Sequence, residues 1–188
     1  GKQEDYAVIL KVETTDFWAT MKEGILKEAD KLGITVDVYA ATSEEDTSGQ
    51  LSILETCIAK GYKAIGVAPL SSTNLINGIA EATSKGIYVM DIDEKVDMTA
   101  LKAAGGSVIG FATTDNVAVG KQAAEYIAKT IGSNGGDVAI IEGKSGNASG
   151  ESRKQGATEG FAAATGLKLV DSQPADWDRQ KALDIAAN

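Results

Sequence analysis

Leu167-Lys168-Leu169-Val170, then Gln173-Pro174-Ala175-Asp176-Trp177-Asp178-Arg179, then Lys181-Ala182-Leu183-Asp184-Ile185-Ala186-Ala187, is the stretch that decides the fold of this chain. The first segment is a short apolar run and reads as a strand. The last has the spacing of a helix, and Asp176 or Asp178 can cap it. The loop between them stands at the C-terminal end of a strand. It carries a large aromatic, Trp177, that helix capping does not require. Open α/β sheets hold their ligands along that edge.

The same strand–loop–helix unit recurs upstream. Tyr6–Leu10 is an apolar run. Trp18, Met21, Ile25, Ala29 and Leu32 follow at helical spacing behind a capping Asp16, and Gly33 stops the helix. Ile34–Tyr39 reads as a second strand. Leu51, Leu54 and Ile58 mark the next helix, closed by Gly61, and Ala64–Val67 a third strand. Leu75, Ile76, Ile79 and Ala82 make a helix ended by Gly86, and Ile87–Met90 is a fourth strand. A short Gly-bearing piece over 97–106 leads to a fifth strand, Val108–Ala112. After Thr113-Thr114 the pattern restarts with a helix capped by Asp115 and striped by Val119, Ala123, Tyr126 and Ile127. A strand at Val138–Ile141 and a helix toward Phe161 precede the opening stretch. Helical connections imply parallel sheets covered on both faces. The expectation is two Rossmann-like domains, 1–112 and 113–188, with a hinge near 112–115. The second, with two strands and three helices, is expected to be incomplete.

Composition removes several chemistries. The 188 residues are 43% hydrophobic and 24% charged, ordinary for a globular protein. A net charge of −9 opposes nucleic-acid binding, which needs a basic face. The acidic stretches Glu44-Glu45-Asp46 and Asp91 to Asp97 are read as solvated. No histidine is present, so Ser-His-Asp and Cys-His catalysis and His-bearing zinc sites are excluded. The single cysteine, Cys57, sits on an apolar helix face and reads as a buried thiol. No apolar run approaches a membrane span, and no signal peptide is visible.

Several motifs fail on their spacing. Gly143-Lys144-Ser145 looks like the end of a phosphate loop, but Val138 stands where its first glycine is needed. Asp91-x-Asp93 lacks the downstream Thr of the haloacid dehalogenase nucleophile and lies on the fourth strand, not the first. Ser71, Ser72 and Thr73 read as caps of the following helix.

The residues left at strand ends suit a sugar, which presents hydroxyls and apolar C–H faces. Phe17 lies off the Trp18-Met21-Ile25 stripe, whereas Trp18 lies on it and by spacing alone reads as core before ligand contact. With Trp177 these rings can cover sugar faces. Lys11, Asp93, Asn147 and Arg153 can pair with hydroxyls. Arg153 falls near a helix start, where a cation is disfavoured. These residues come from both halves, so a cleft between domains is expected.

The chain resembles the periplasmic sugar-binding proteins of ABC transporters, in the ribose/allose branch and closest to its allose-binding members. The resemblance rests on Tyr6-Ala7-Val8, Lys11, Phe17-Trp18, Ala68 to Ser72, Asp93-Glu94-Lys95, Thr113 to Gly120, Glu142-Gly143-Lys144, Gly146 to Glu151 and Gln173 to Arg179. It implies the type I periplasmic binding fold. It also implies capture of a monosaccharide, D-allose or a similar sugar, between two hinged domains, and delivery to a membrane permease. The protein would be a periplasmic monomer with no cofactor, no metal, no nucleic-acid partner and no enzymatic step. The implied contacts are Lys11, Thr15, Phe17, Trp18, Asp93, Asn147, Arg153 and Trp177. Thr15-Asp16 replaces the Asn-Pro usual in the family, and Ala68 stands where ribose binders carry Asn. The family continues beyond Asn188 with further sugar ligands. An enzyme acting on a sugar, or the sensing core of a regulator on the same fold, is the competing reading.

Overall fold

The computed structural model describes residues 4–188. It divides into two compact units, Gly1–Thr113 and Thr114–Asn188.

The first unit alternates β1 (Tyr6–Leu10), α1 (Asp16–Leu32), β2 (Val36–Ala40), α2 (Thr47–Lys60), β3 (Ala64–Val67), α3 (Ile76–Ser84), β4 (Tyr88–Ile92), α4 (Met98–Ala103) and β5 (Phe111–Ala112). All strands are parallel, in the order β2-β1-β3-β4-β5. Alternation along β1 sends Ala7 and Ile9 to one face, with Leu54, Ile58 and Ile79 of α2 and α3. It sends Val8 and Leu10 to the other, against Trp18 of α1. Fully buried side chains such as Ile9, Leu54, Ile65 and Ile79 contribute about 1.5–3 kcal/mol each. The direction of winding reverses between β1 and β3, and ligands of such sheets lie outside the strand C-termini at that point.

The second unit comprises α5 (Asn116–Ile131), a single 3-10 turn, β6 (Gly136–Glu142), α6 (Ala148–Ala163), β7 (Leu167–Pro174) and α7 (Arg179–Ala187). β6 and β7 pair in parallel, and Phe161, Ala124 and Val138 form the centre of its core.

Several local expectations are corrected. β7 does not stop at Val170 but runs to Pro174. A bulge skips Val170, after which Asp171 to Pro174 pair with Ala139 to Glu142. β5 is registered only over Phe111–Ala112. Thr15, not Asp16, is the N-cap of α1, and its hydroxyl makes no cap bond. The Ser71 hydroxyl accepts from the backbone N–H of Asn74 at 3.0 Å in the turn ahead of α3, whose own N-cap, Leu75, has no side-chain bond. Leu32, the last residue of the α1 stripe, is exposed.

The packed face of α5 is not the apolar one. Val119, Tyr126 and Ile127 are exposed, and Asn116, Gly120 and Ala124 are buried. The cause is backbone contact with α6. A β-carbon on Gly120 would lie 2.0 Å from the Arg153 carbonyl oxygen, and one on Gly156 would lie 1.9 Å from that of Val117. Size, rather than hydrophobicity, selects that face.

Candidate functional site

In the first unit the candidate residues surround the end of β1. Lys11 follows the strand directly and is 3% exposed. Its ammonium stands 3.3 Å from a carboxylate oxygen of Glu94 and 3.5 Å from one of Asp93. Burying a cation so deeply costs several kcal/mol unless it is paired, and two carboxylates pair it here. The acidic run 91–97 is therefore not wholly solvated as expected: Asp91 and Glu94 are buried. Asp93 holds a φ of 65°. The Glu94 N–H closes a three-residue turn onto Ile92 O at 2.8 Å, and the Asp93 N–H donates to Ala112 O at 2.8 Å. The Thr113 hydroxyl donates to Asp93 O at 3.0 Å. The end of β5 thus clamps a backbone conformation that a non-glycine residue rarely adopts.

Asp91, behind this turn, accepts the Val96 N–H at 2.9 Å with one carboxylate oxygen. Its other oxygen is buried without a hydrogen-bond partner among the described residues. Burial pushes its pKa up to about 6, and Glu94 and Asp93 add to the rise.

Phe17 and Trp18 meet edge to face, centroids 4.9 Å apart at 80°. Trp18 is in the core and Phe17 is 47% exposed, so Phe17 offers the accessible ring. The Thr15 hydroxyl oxygen is buried and, among the described residues, has no hydrogen-bond partner.

Sequence reasoning missed the residue that ties the ends of β1 and β3 together. Gln50, fully buried on α2, donates to Leu10 O and Ala68 O at 3.2 and 2.8 Å. Its carbonyl accepts from Leu70 N and Asn74 Nδ2, both at 2.9 Å. Its place one turn before Leu54 was the available signal, since a glutamine on a buried stripe must have partners.

In the second unit Trp177 occupies a built seat. Ala175 to Asp178 form a tight turn, the Asp178 N–H donating to Ala175 O at 2.8 Å. Asp176 and Trp177 within it have φ of 55° and 61°. Two consecutive left-handed non-glycine residues cost of order 1–3 kcal/mol each and persist only where the surroundings enforce them. The surroundings are the end of β6: Ala175 N donates to Glu142 O at 3.1 Å and Asp176 N to Gly143 O at 3.3 Å. Lys181 pairs with the Asp176 carboxylate, and Asp178 caps α7 through Lys181 N. The indole lies on Gly143 and Gly150, where β-carbons would stand 2.2 and 3.3 Å from ring atoms.

Arg153 places its guanidinium over that ring, 5.8 Å from the centroid. It lies in the second turn of α6, past the first turn in which a cation is disfavoured. Its Nε–H donates to Asn116 Oδ1 at 2.8 Å. Asn147 is the buried N-cap of α6, and its side chain makes no cap bond. Glu142, at the end of β6, accepts from the Ser172 hydroxyl at 2.5 Å and pairs with Lys154 at 2.9 Å. The Ser172 bond, followed by Lys154, holds its carboxyl below the usual range. Asn116, Glu94, Gly143 and Gly150 fall within the stretches that carry the family resemblance, but none of them was named as a site residue from the sequence.

Lys11, Asp93, Thr15, Phe17 and Trp18 thus share the strand-end edge of one unit. Asn147, Arg153 and Trp177 share that of the other. Each set offers an aromatic ring, a cation and hydrogen-bonding groups, a combination suited to a polyhydroxylated ring.

Comparison with known proteins follows the same lines. The sequence profile of the periplasmic binding protein domain matches residues 6–188. The chain is 56% identical over 184 residues to the D-allose-binding periplasmic protein of Escherichia coli K12, covering 98% of this chain and 59% of that protein. It is 33% identical over 183 residues to the ribose import binding protein of Haemophilus influenzae, covering 96% and 59%. Among solved structures, a periplasmic solute-binding protein of an ABC transporter from Actinobacillus succinogenes, with bound D-allose, superposes with a TM-score of 0.89 at 33% identity, covering 97% of this chain and 65% of that one. A Caulobacter myo-inositol-binding protein gives 0.81 at 28% identity, covering 98% and 60%. The chain therefore spans about 59% of the length of the curated relatives it matches.

Proposed function

Because the chain belongs to the periplasmic binding protein family, we propose that it is the solute-binding component of a sugar ABC transporter. It captures a monosaccharide, D-allose or a similar sugar, in the periplasm and hands it to a membrane permease. No bond is made or broken in the sugar. Its two units act as hinged domains, with segments near 112–115 in the hinge. Sugar shifts the open–closed equilibrium by its differential affinity for the closed form. Among the described residues no helix is long and apolar enough to cross a membrane.

The observation that carries the reading is the Trp177 seat. A ring fixed on two glycines by a strained turn, with a guanidinium beside it, supplies both halves of what a pyranose needs: a flat surface for C–H groups and a fork for hydroxyls. In the other unit Phe17 supplies a second accessible ring, with Trp18 behind it. Lys11 and Asp93 supply a paired donor and acceptor, and Thr15 a hydroxyl. The buried Thr15 oxygen, without a hydrogen-bond partner among the described residues, supports this role, since a sugar hydroxyl would satisfy it. Asn147 adds an amide not used by its own helix. The allose- and ribose-binding relatives support a monosaccharide ligand.

Calorimetry of the intact protein against D-allose, ribose, psicose, galactose and glucose tests the reading. Heat of 1:1 binding to one of these, with the sugar recovered unchanged, is expected. Turnover of any of them, or binding of none, sinks it.

A further inference from the structure

The geometry points to Asn116 as a positioning residue that fixes which edge of Arg153 meets the ligand, an inference that rests on the sugar-capture reading. Asn116 is the first residue of α5 and is 6% exposed. Both ends of its amide are used. Oδ1 accepts from Arg153 Nε at 2.8 Å and Nδ2 donates to Thr114 O at 3.1 Å. An amide engaged at both ends has one orientation, because turning it over would lose both bonds.

Arg153 is then held at three points. Its backbone lies against Gly120, where a β-carbon would stand 2.0 Å from the Arg153 carbonyl oxygen. Its Nε–H is directed at Asn116. Its guanidinium lies over the Trp177 ring. A guanidinium can meet a partner side-on, through Nε and one terminal nitrogen, or end-on, through the two terminal nitrogens. Asn116 takes the first edge, so the terminal pair is what Arg153 presents. Two parallel donors at that end match two acceptor oxygens side by side. The ligand chemistry this selects is an adjacent pair of ring hydroxyls, presented by a sugar whose C–H face rests on Trp177. Through Thr114 O the same amide anchors the guanidinium to the backbone at the first residue of the second unit.

A double-mutant cycle on the intact protein tests this, with D-allose titrations of wild type, Asn116→Ala, Arg153→Lys and the double variant. Asn116→Ala is expected to weaken binding about tenfold, the scale of losing one hydrogen bond to a charged group. The double variant is expected to bind no worse than Arg153→Lys alone, because Asn116 acts through Arg153. A purely structural role would lower the melting temperature and give additive losses. A second measurement needs neither variant nor ligand: the Arg153 Nε–H of wild type should be protected from solvent exchange, as seen by 15N NMR. Additive losses, unchanged affinity in Asn116→Ala, or an unprotected Nε–H overturn the assignment while leaving sugar capture standing. A wild type that binds no monosaccharide overturns both.

Discussion

A β-carbon on Gly143 would stand 2.2 Å from Cη2 of Trp177. The glycine is thus a requirement of the indole's position, and the two residues, far apart in sequence, form one surface. The ring has little freedom to retreat, because its backbone sits in a turn strapped to Glu142 and Gly143 themselves.

Gly143→Ala should therefore displace the indole and mimic its removal. Trp177→Ala is expected to abolish sugar binding while the fold persists, since Trp177 is partly exposed and outside the core clusters. Gly143→Ala should reduce affinity by at least about tenfold, the equivalent of 1.4 kcal/mol, with near-native circular dichroism. Gly150→Ala, where the approach is 3.3 Å, should cost less. Calorimetric titration of the three variants gives the order, and wild-type affinity in Trp177→Ala would remove this surface from the site.

The position of the seat was legible in the sequence, and its construction was not. An aromatic after an apolar run marks the C-terminal edge of a strand, and alternation through Tyr6–Leu10, Ala64–Val67 and Val138–Ile141 gives the parallel sheets. Those signals are local and chemical. Elsewhere the controlling quantity is distance between backbones. Val119, Tyr126 and Ile127 draw the apolar stripe of α5, yet Gly120 and Gly156 bring α5 and α6 so close that the small-residue face is the one buried. Nor does hydropathy indicate that Asp91 and Glu94 turn inward while Asp97 stays at the surface as a helix cap. That difference arises from the tight turn at Asp93, which depends on Ala112 and Thr113 of a neighbouring strand end.

Asp91 should give stability a distinct pH dependence. Its pKa rises from 3.8 to about 6, chiefly through burial. Between those values the unfolded chain has released its proton and the folded chain retains it. Stability from this group is therefore complete below about pH 4, declines as pH rises toward 6, and is level above. The gap amounts to on the order of 3 kcal/mol. Asp91→Asn removes the ionisation, and its amide oxygen can still accept the Val96 N–H. Whatever the constant offset of the variant, its stability relative to wild type should rise by about 2–3 kcal/mol between pH 4 and pH 7. Urea unfolding at a series of pH values measures this difference, and a pH-independent difference would show that Asp91 ionises freely in the folded protein.

The Lys11 cluster should respond in the opposite sense to removal of charge. Lys11 lies between Asp93 and Glu94, with all three side chains largely buried. Lys11→Met leaves two carboxylates without their shared cation, and breaking a buried pair from one side typically costs about 3–5 kcal/mol. Glu94→Gln keeps the shape and leaves Lys11 with Asp93, so its cost should be smaller. The double variant Lys11→Met/Glu94→Gln buries one charge fewer than Lys11→Met and should regain part of the lost stability, a coupling that denaturant unfolding of the four proteins measures. Sugar binding should not return with it, because the ammonium proposed to meet a sugar hydroxyl is absent in both. Recovery of affinity along with stability would mean that Lys11 serves only to neutralise its neighbours.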